Sequence, residues 1–335
     1  MTFTSIGDLS RQFTSMHQIA ATRSRLDTLA TELSSGRVAD PAARLSGRTD
    51  LLADVERRIT LLRAGLDSTT SLLRRFETTH IALDQIDAQR ALVSRDLLAL
   101  PPGLTRQMID DAAARAEGAF ATIVSALGAR HGAESLFAGT ATDRAAMAGA
   151  ETILAALRAD VAGATDSADL IARLDTFFDD PGGSFATVAY TGDTGAPLAR
   201  RINGRDIVLT IRADDPALRN ILKGLALAMI AADTPADITD AERGALLHQA
   251  GAALVTSAGP LSGLRATLGR IEEHAELSIS QQSAALTAAS IRQRDMVSAN
   301  PEETAVALRE TQSQLETQYA VTARLAELSL TGYLR

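Results

Sequence analysis

The chain has 335 residues, enough for two or three domains with a real core, and carries a formal net charge of −8. That charge argues against nucleic-acid binding, which needs a basic face. The absence of cysteine excludes disulfides, thiolate metal sites and a cysteine nucleophile. Aromatics make up only 3%, tryptophan is absent, and the apolar weight falls on alanine and leucine. These are strong helix formers suited to thin helix-on-helix seams rather than to a thick globular core.

The first segment predicts a helix. Ile6, Leu9, Phe13, Met16, Ile19, Leu26, Leu29 and Leu33 recur at three- and four-residue steps, and Gly36 supplies a C-cap. Some 30 residues at 1.5 Å each make a helix of about 45 Å. After the loop Ser34 to Pro41, helix is expected from Ala42 to Ala99, broken by Pro101-Pro102-Gly103, and again from Thr105 to Ala129. The turn residues of Gly139 to Thr142 close this block.

Residues 151–178 read as short helices that end at Asp179-Asp180-Pro181-Gly182-Gly183. Two β-leaning runs follow, Ser184–Thr191 and Asp206–Arg212, with turns at Gly192-Asp193 and Asn203-Gly204, the latter a hairpin signal. Helix returns over Pro216–Ala232 and Asp240–Ala299. Asn300 is then placed to cap a final helix with Pro301 at its first position. That helix carries Ala305, Leu308, Gln312, Leu315, Tyr319, Thr322, Leu325 and Leu328 along one face. The most apolar run, Ile221 to Ala232, is interrupted by Lys223 and Gly224 and is too short to span a bilayer, so no membrane partner is expected. The N-terminus has no basic region followed by an apolar one, so no Sec-type signal is expected.

The order of element types is near-palindromic, as for a chain that goes out and comes back. The expected fold is mainly α: an elongated rod of long antiparallel helices with terminal coiled-coil helices and a small mixed α/β insertion. Its parts are an N-terminal assembly helix (1–40), outgoing helices (41–149), a variable insertion held out from the helical body (150–214), returning helices (215–299) and a C-terminal assembly helix (300–335). A thin amphipathic rod needs a partner to cover its stripe. We read the terminal stripes as surfaces for assembly with other subunits; the alternative is that they pair with each other in a finished coiled coil.

Chemical readings are weak. Asp193-Thr194-Gly195 is the triplet of aspartic proteases, but those need two such carboxylates in a β-rich fold, and a simple turn explains it. Glu272-Glu273-His274 with Glu276 could suggest metal ligands. A bundle di-iron site instead wants Glu-x-x-His, and the residue three before His274 is Ile271. His131 and Glu134 have that three-residue offset but no visible partner site. His17, His80 and His248 stand alone, and no phosphate- or dinucleotide-binding glycine motif is present. No cofactor, no metal and no catalytic residue is expected; the chain reads as a structural protein, not an enzyme.

At both ends the residues resemble a family. Leu33-Ser34-Ser35-Gly36-Arg37-Val38 followed by Asp40-Pro41-Ala42 is similar to the N-terminal signature of the flagellin-like superfamily. Leu315-Glu316-Thr317-Gln318-Tyr319-Ala320 through Leu328-Ser329-Leu330-Thr331-Gly332-Tyr333-Leu334 resembles the tail of the hook-associated protein 3 family, which forms the hook–filament junction. Ser135-Leu136-Phe137-Ala138-Gly139-Thr140 and Tyr190-Thr191-Gly192-Asp193 resemble two internal motifs of that family. Ala42-Ala43-Arg44 departs from the acidic pair usual in filament flagellins.

The resemblance implies a secreted structural subunit of the bacterial flagellum, exported unfolded through the type III export apparatus with an export chaperone. It would assemble as copies of itself in a ring between the preceding hook-associated protein and flagellin, with no nucleic acid bound. Leu9, Phe13, Met16, Leu26, Leu29, Leu33, Leu308, Leu315, Tyr319, Leu325, Leu328, Leu330 and Tyr333 are the residues expected at its assembly interface. A filament flagellin and a cytoplasmic coiled-coil adaptor are the alternatives.

Overall fold

Ten helices, a π-helical turn and two short hairpins order the chain in a computed structural model that describes residues 6–195, 198–202, 205–209, 211–233 and 238–333. The helices are α1 (Ile6–Ser35), α2 (Pro41–Arg44), α3 (Thr49–Leu98), α4 (Arg106–Leu127), α5 (Ala150–Val161), α6 (Ser167–Asp179), α7 (Pro216–Ile230), α8 (Asp240–Thr256), α9 (Ala258–Val297) and α10 (Pro301–Tyr333). The strands are β1 (Arg130–His131) with β2 (Glu134–Ser135), and β3 (Leu198–Ile202) with β4 (Arg205–Leu209), each pair antiparallel. The fold is mainly α. None of the described helices is long and apolar enough to cross a membrane.

Side chains placed by the sequence start most of these helices. Asp40 accepts from the amides of Ala42 and Ala43 at 2.9 and 3.0 Å, with Pro41 in the first helical position of α2. Asp166 and Asp215 cap α6 and α7 in the same way. Thr239 and Glu242 form a reciprocal capping box on α8. Asn300 accepts from Glu302 at 3.1 Å to begin α10 at Pro301.

The chain divides into two packed units, one of residues 65–282 and one of residues 1–64 with 283–335. The first holds the main core. Phe120, Phe137, Phe177, Phe178 and Phe185 are all fully buried there. Helix α7 buries most of its surface because it packs on α4, α6 and α8 at once, which accounts for the most apolar run of the sequence, while Arg219 and Lys223 pair with Asp179 on its one polar face. Ile153, Leu154 and Leu157 of α5 and Leu170 and Leu174 of α6 join the same core. The helices of the 150–214 stretch are therefore built into this unit rather than held out from it. Within the unit α3 and α9 run antiparallel, bridged by His80 to Glu272 at 2.8 Å and by Arg265 to Asp84 at 2.6 Å.

Three expected elements are corrected. The Ala42–Ala99 helix stops at Arg44 and restarts at Thr49, because Ser46 at φ +52° and Gly47 at φ +82° turn the chain, with Gly47 N donating to Ala42 O at 2.9 Å. The Ser184–Thr191 run is no strand: Phe185–Ala189 forms a π-helical turn closed by Tyr190 N donating to Phe185 O at 2.8 Å. Burial falls on Phe185 and Ala189, four apart, because the Phe185 ring is held 5.4 Å from that of Phe178. The Asp240–Ala299 helix is broken at Ser257. Pro260 lacks the N–H that would donate to Thr256, and Thr256 and Ser257 turn their hydroxyls back onto Ala253 and Leu254 instead. The register of β3 and β4, ending at Ile202 opposite Arg205, leaves two residues for the hairpin turn. These are Asn203 and Gly204, which lie outside the described residues.

The second unit holds α1, α2, α10, residues 49–64 of α3 and residues 283–297 of α9. Its small cluster is Val55, Ile59 and Ala289, flanked by Leu62, Leu286 and Met296. Gly36 ends α1 at φ +66°, a conformation that costs a residue with a Cβ about 1 kcal/mol or more. The turn it makes is pinned by Val38 N to Val297 O at 2.9 Å and Ala299 N to Gly36 O at 3.0 Å.

Candidate assembly surface

Helices α1 and α10 pack against each other as an antiparallel pair. Among the described side chains, the less exposed positions of α1 include Ser15, Ile19, Thr22, Leu26 and Leu29, and those of α10 include Thr304, Leu308, Thr311, Leu315 and Gln318. Both sets step by four and three, the spacing of a heptad seam. The Ser15 and Thr322 hydroxyls, 3.4 Å apart, set the register. It places Ile19 across from Gln318, Thr22 from Leu315, Leu26 from Thr311 and Leu29 from Leu308.

Only one of those four layers, Leu29 with Leu308, is apolar on both sides. Thr22 and Thr311 satisfy their hydroxyls on the carbonyls of Gln18 and Ala307, at 2.9 and 2.7 Å. Gln318 Oε1 is buried and has no hydrogen-bond partner among the described residues. Leaving a buried acceptor unpaired costs about 1–3 kcal/mol. The seam is thus a weak one for its length.

The outer faces carry apolar side chains in water. Phe13 is 68% and Met16 60% exposed, and Leu33, Val306, Tyr319 and Val321 are exposed as well. Phe13 lies 5.3 Å from the His17 ring, and Arg23 sits over the Tyr319 ring at 5.4 Å. The structure therefore separates the residues that the sequence grouped together. Leu26, Leu29, Leu308 and Leu315 turn into the seam between the two terminal helices. Phe13, Met16, Leu33 and Tyr319 turn outward. Leu9, Leu325, Leu328, Leu330 and Tyr333 belong to α1 and α10, but their side chains lie outside the described residues. The sequence reading missed Thr22, Thr311 and Gln318 as seam positions because they are polar. Their heptad offset from Leu26 and Leu315 is the signal that could have found them.

The two internal motifs meet in the 65–282 unit. Asp193 N donates to Ala138 O at 2.9 Å, Thr140 Oγ1 donates to the Asp193 carboxylate, and Tyr190 Oη donates to Asp193 O at 3.1 Å. The Thr140 hydroxyl, then the Gly195 amide, holds the Asp193 carboxyl below its ordinary range. Asp193-Thr194-Gly195 is thus a hydrogen-bonded turn, with Gly195 N 2.9 Å from Asp193 Oδ1. Burial, and then the charge of Asp214, pushes the Tyr190 phenol up to about 12. Glu134 pairs with the buried Arg75 at 2.7 Å, His131 lies 3.4 Å from Thr78, and Glu272 is held by His80. Among the described residues no group of three potential ligands comes together.

No family model matches the chain, and comparison with curated proteins finds no similar sequence. Among solved structures the chain is similar to Bacillus cereus FlgL, with 10% identity and a TM-score of 0.43 over 72% of this chain and 99% of that one. It is also similar to a putative flagellar hook-associated protein from Vibrio parahaemolyticus, with 14% identity and a TM-score of 0.39 over 77% of this chain and 98% of that one.

Proposed function

We propose that this chain is a structural, non-enzymatic subunit of the bacterial flagellum, and specifically a hook–filament junction protein. The observation that carries the reading is the terminal helix pair. It has one wholly apolar layer among the four that its register defines, an orphaned Gln318 acceptor inside, and Phe13, Met16, Val306, Tyr319 and Val321 in water outside. A pair built this way gains stability when neighbours cover its outer faces. The sequence motifs at both ends and in the Thr140–Asp193 latch favour the junction family.

In this reading residues 1–40 and 300–335 are the assembly helices. The protein leaves the cell unfolded through the type III export apparatus, accompanied until then by a chaperone. Copies then order in a ring between the preceding hook-associated protein and flagellin. The ordering entropy of the helix ends is offset by the apolar area that neighbours cover. Immunogold labelling of sheared flagella with an antibody to residues 150–214 tests it. One cluster at the hook–filament boundary supports the junction role, label along the filament makes the chain a flagellin, and unlabelled flagella return it to a cytoplasmic adaptor.

A further inference from the structure

Three arginines line one cleft of about 380 Å³ in the unit of residues 1–64 and 283–335. Arg37 comes from the Gly36 turn, Arg63 from α3 and Arg294 from the last turn of α9, with the hydroxyl residues Ser35, Ser290 and Ser298 between them. The turn under Arg37 is fixed by its two backbone hydrogen bonds to Val297 and Ala299. Among the described residues no carboxylate lies within 4.0 Å of any of the three guanidinium groups. Acids on the adjoining turns are otherwise engaged: Glu32 accepts from Ala39 N at 2.7 Å and Glu56 from Gln293 Nε2 at 3.1 Å. The pattern contrasts with Arg75, Arg90, Arg158, Arg212 and Arg265, each of which holds a carboxylate within the chain. Three like charges around one cleft repel until an anion enters.

Charge is also divided unevenly along the chain. Residues 1–64 and 283–335 hold 14 arginines against 13 Asp and Glu, for a net +1. Residues 65–282 hold 19 Lys and Arg against 28 Asp and Glu, for a net −9.

We propose that the Arg37–Arg63–Arg294 cleft binds a carboxylate from the 65–282 residues of a second copy of this chain. A guanidinium fork matches a carboxylate in a bidentate pair, and the acidic unit is the complementary surface available in every copy. The inference deepens the assembly reading above by naming a contact between copies, and it rests on that reading for the copies to meet.

The test exploits the scarcity of lysine. Lys223 is the only lysine in the chain and is held 2.6 Å from Asp175 and 2.5 Å from Asp179. The variants Arg63→Lys and Arg294→Lys keep the charge and add a primary amine that a carbodiimide couples directly to a touching carboxylate. Coupling is done on the sheared flagellar fraction, and products are mapped by mass spectrometry. The expected result is a two-chain product with an amide from position 63 or 294 to an Asp or Glu within 65–282. Amides at these positions that stay within one chain, or none beside those of Lys223, overturn the proposal.

If the protein is missing from the sheared fraction, the flagellar reading fails by itself. The same coupling on the purified full chain at millimolar concentration then decides the contact between copies. A second arm titrates inorganic phosphate calorimetrically. Binding heat that disappears in Arg63→Ser, without an intermolecular amide, assigns the cleft to a free oxyanion and overturns the second copy as its occupant.

Discussion

Ser15 and Thr322, 307 residues apart in the chain, place their hydroxyls 3.4 Å from each other and so mark the register of α1 against α10. That register brings Gln318 opposite Ile19, with its buried Oε1 unpaired. Replacing Gln318 by Leu removes the orphan and gives Ile19 an apolar neighbour. We expect the Gln318→Leu pair to be stabilised by about 1 kcal/mol. Hydrogen exchange of the α1 and α10 amides, which reads local opening, checks it. Unchanged or faster exchange would contradict the register.

Phe13 and Met16 contribute little to the folded chain, since both are more than half exposed. The double substitution Phe13→Ser, Met16→Ser is expected to change unfolding free energy by no more than about 0.5 kcal/mol. Recovery of the protein in the sheared flagellar fraction should nevertheless fall sharply. Normal incorporation of a stable variant would show that these side chains serve no interface.

Gly139 has φ +65°, and a Cβ there would stand 2.6 Å from the Asp193 carbonyl oxygen. Backbone on both sides of the latch must move to admit it. Gly139→Ala is expected to cost about 2 kcal/mol, combining left-handed strain with the clash. Urea unfolding followed by near-ultraviolet dichroism of the buried aromatics measures it, and a cost under about 0.5 kcal/mol would be inconsistent with this packing.

Tyr190 supplies a pH dependence with a defined sign. Its folded pKa of about 12 lies above the ordinary phenol value of 10.0, so folding favours the neutral phenol. This contribution is fully present below pH 10 and is lost as pH rises from 10 to about 12. Tyr190→Phe is expected to lose about 1 kcal/mol at neutral pH with the hydrogen bond to Asp193 O. Its stability should also fall less steeply than that of the parent chain above pH 10. Parallel alkaline limbs in the two proteins would refute the assignment.

Much of the helical architecture was legible because its signals are local. Gly36, Pro41, Thr105, Asp215 with Pro216, and Asn300 with Pro301 mark helix ends by backbone chemistry that depends on few neighbours. Where the reading went astray, a distant or overlooked constraint intervened. Phe185 sits in a run that alternates plausibly as a strand, but its burial against Phe178 winds the chain into a π turn. Pro260, read through in an otherwise periodic segment, separates α8 from α9.

The candidate surface was legible only in part. The apolar stripes of α1 and α10 could be seen in Leu26, Leu29, Leu308 and Leu315, yet the seam runs through Thr22, Thr311 and Gln318 as well. The face read through Ala305, Leu308, Gln312, Leu315, Tyr319 and Thr322 places Gln312 and Tyr319 inward, whereas both are exposed. Hydrophobicity cannot select between faces when small polar residues satisfy themselves on their own helix.

By itself the sequence determined the helical class and most of the helix ends, because those signals are local; the thin core it led us to expect does not describe residues 65–282, where Phe120, Phe137, Phe177, Phe178 and Phe185 are fully buried. Only the tertiary structure decided which face of each terminal helix is inward, that Asp193 joins the Thr140 turn, and that three arginines share a cleft. Those facts depend on residues tens to hundreds of positions apart. Their pairing is set by packing and register, which no local periodicity encodes.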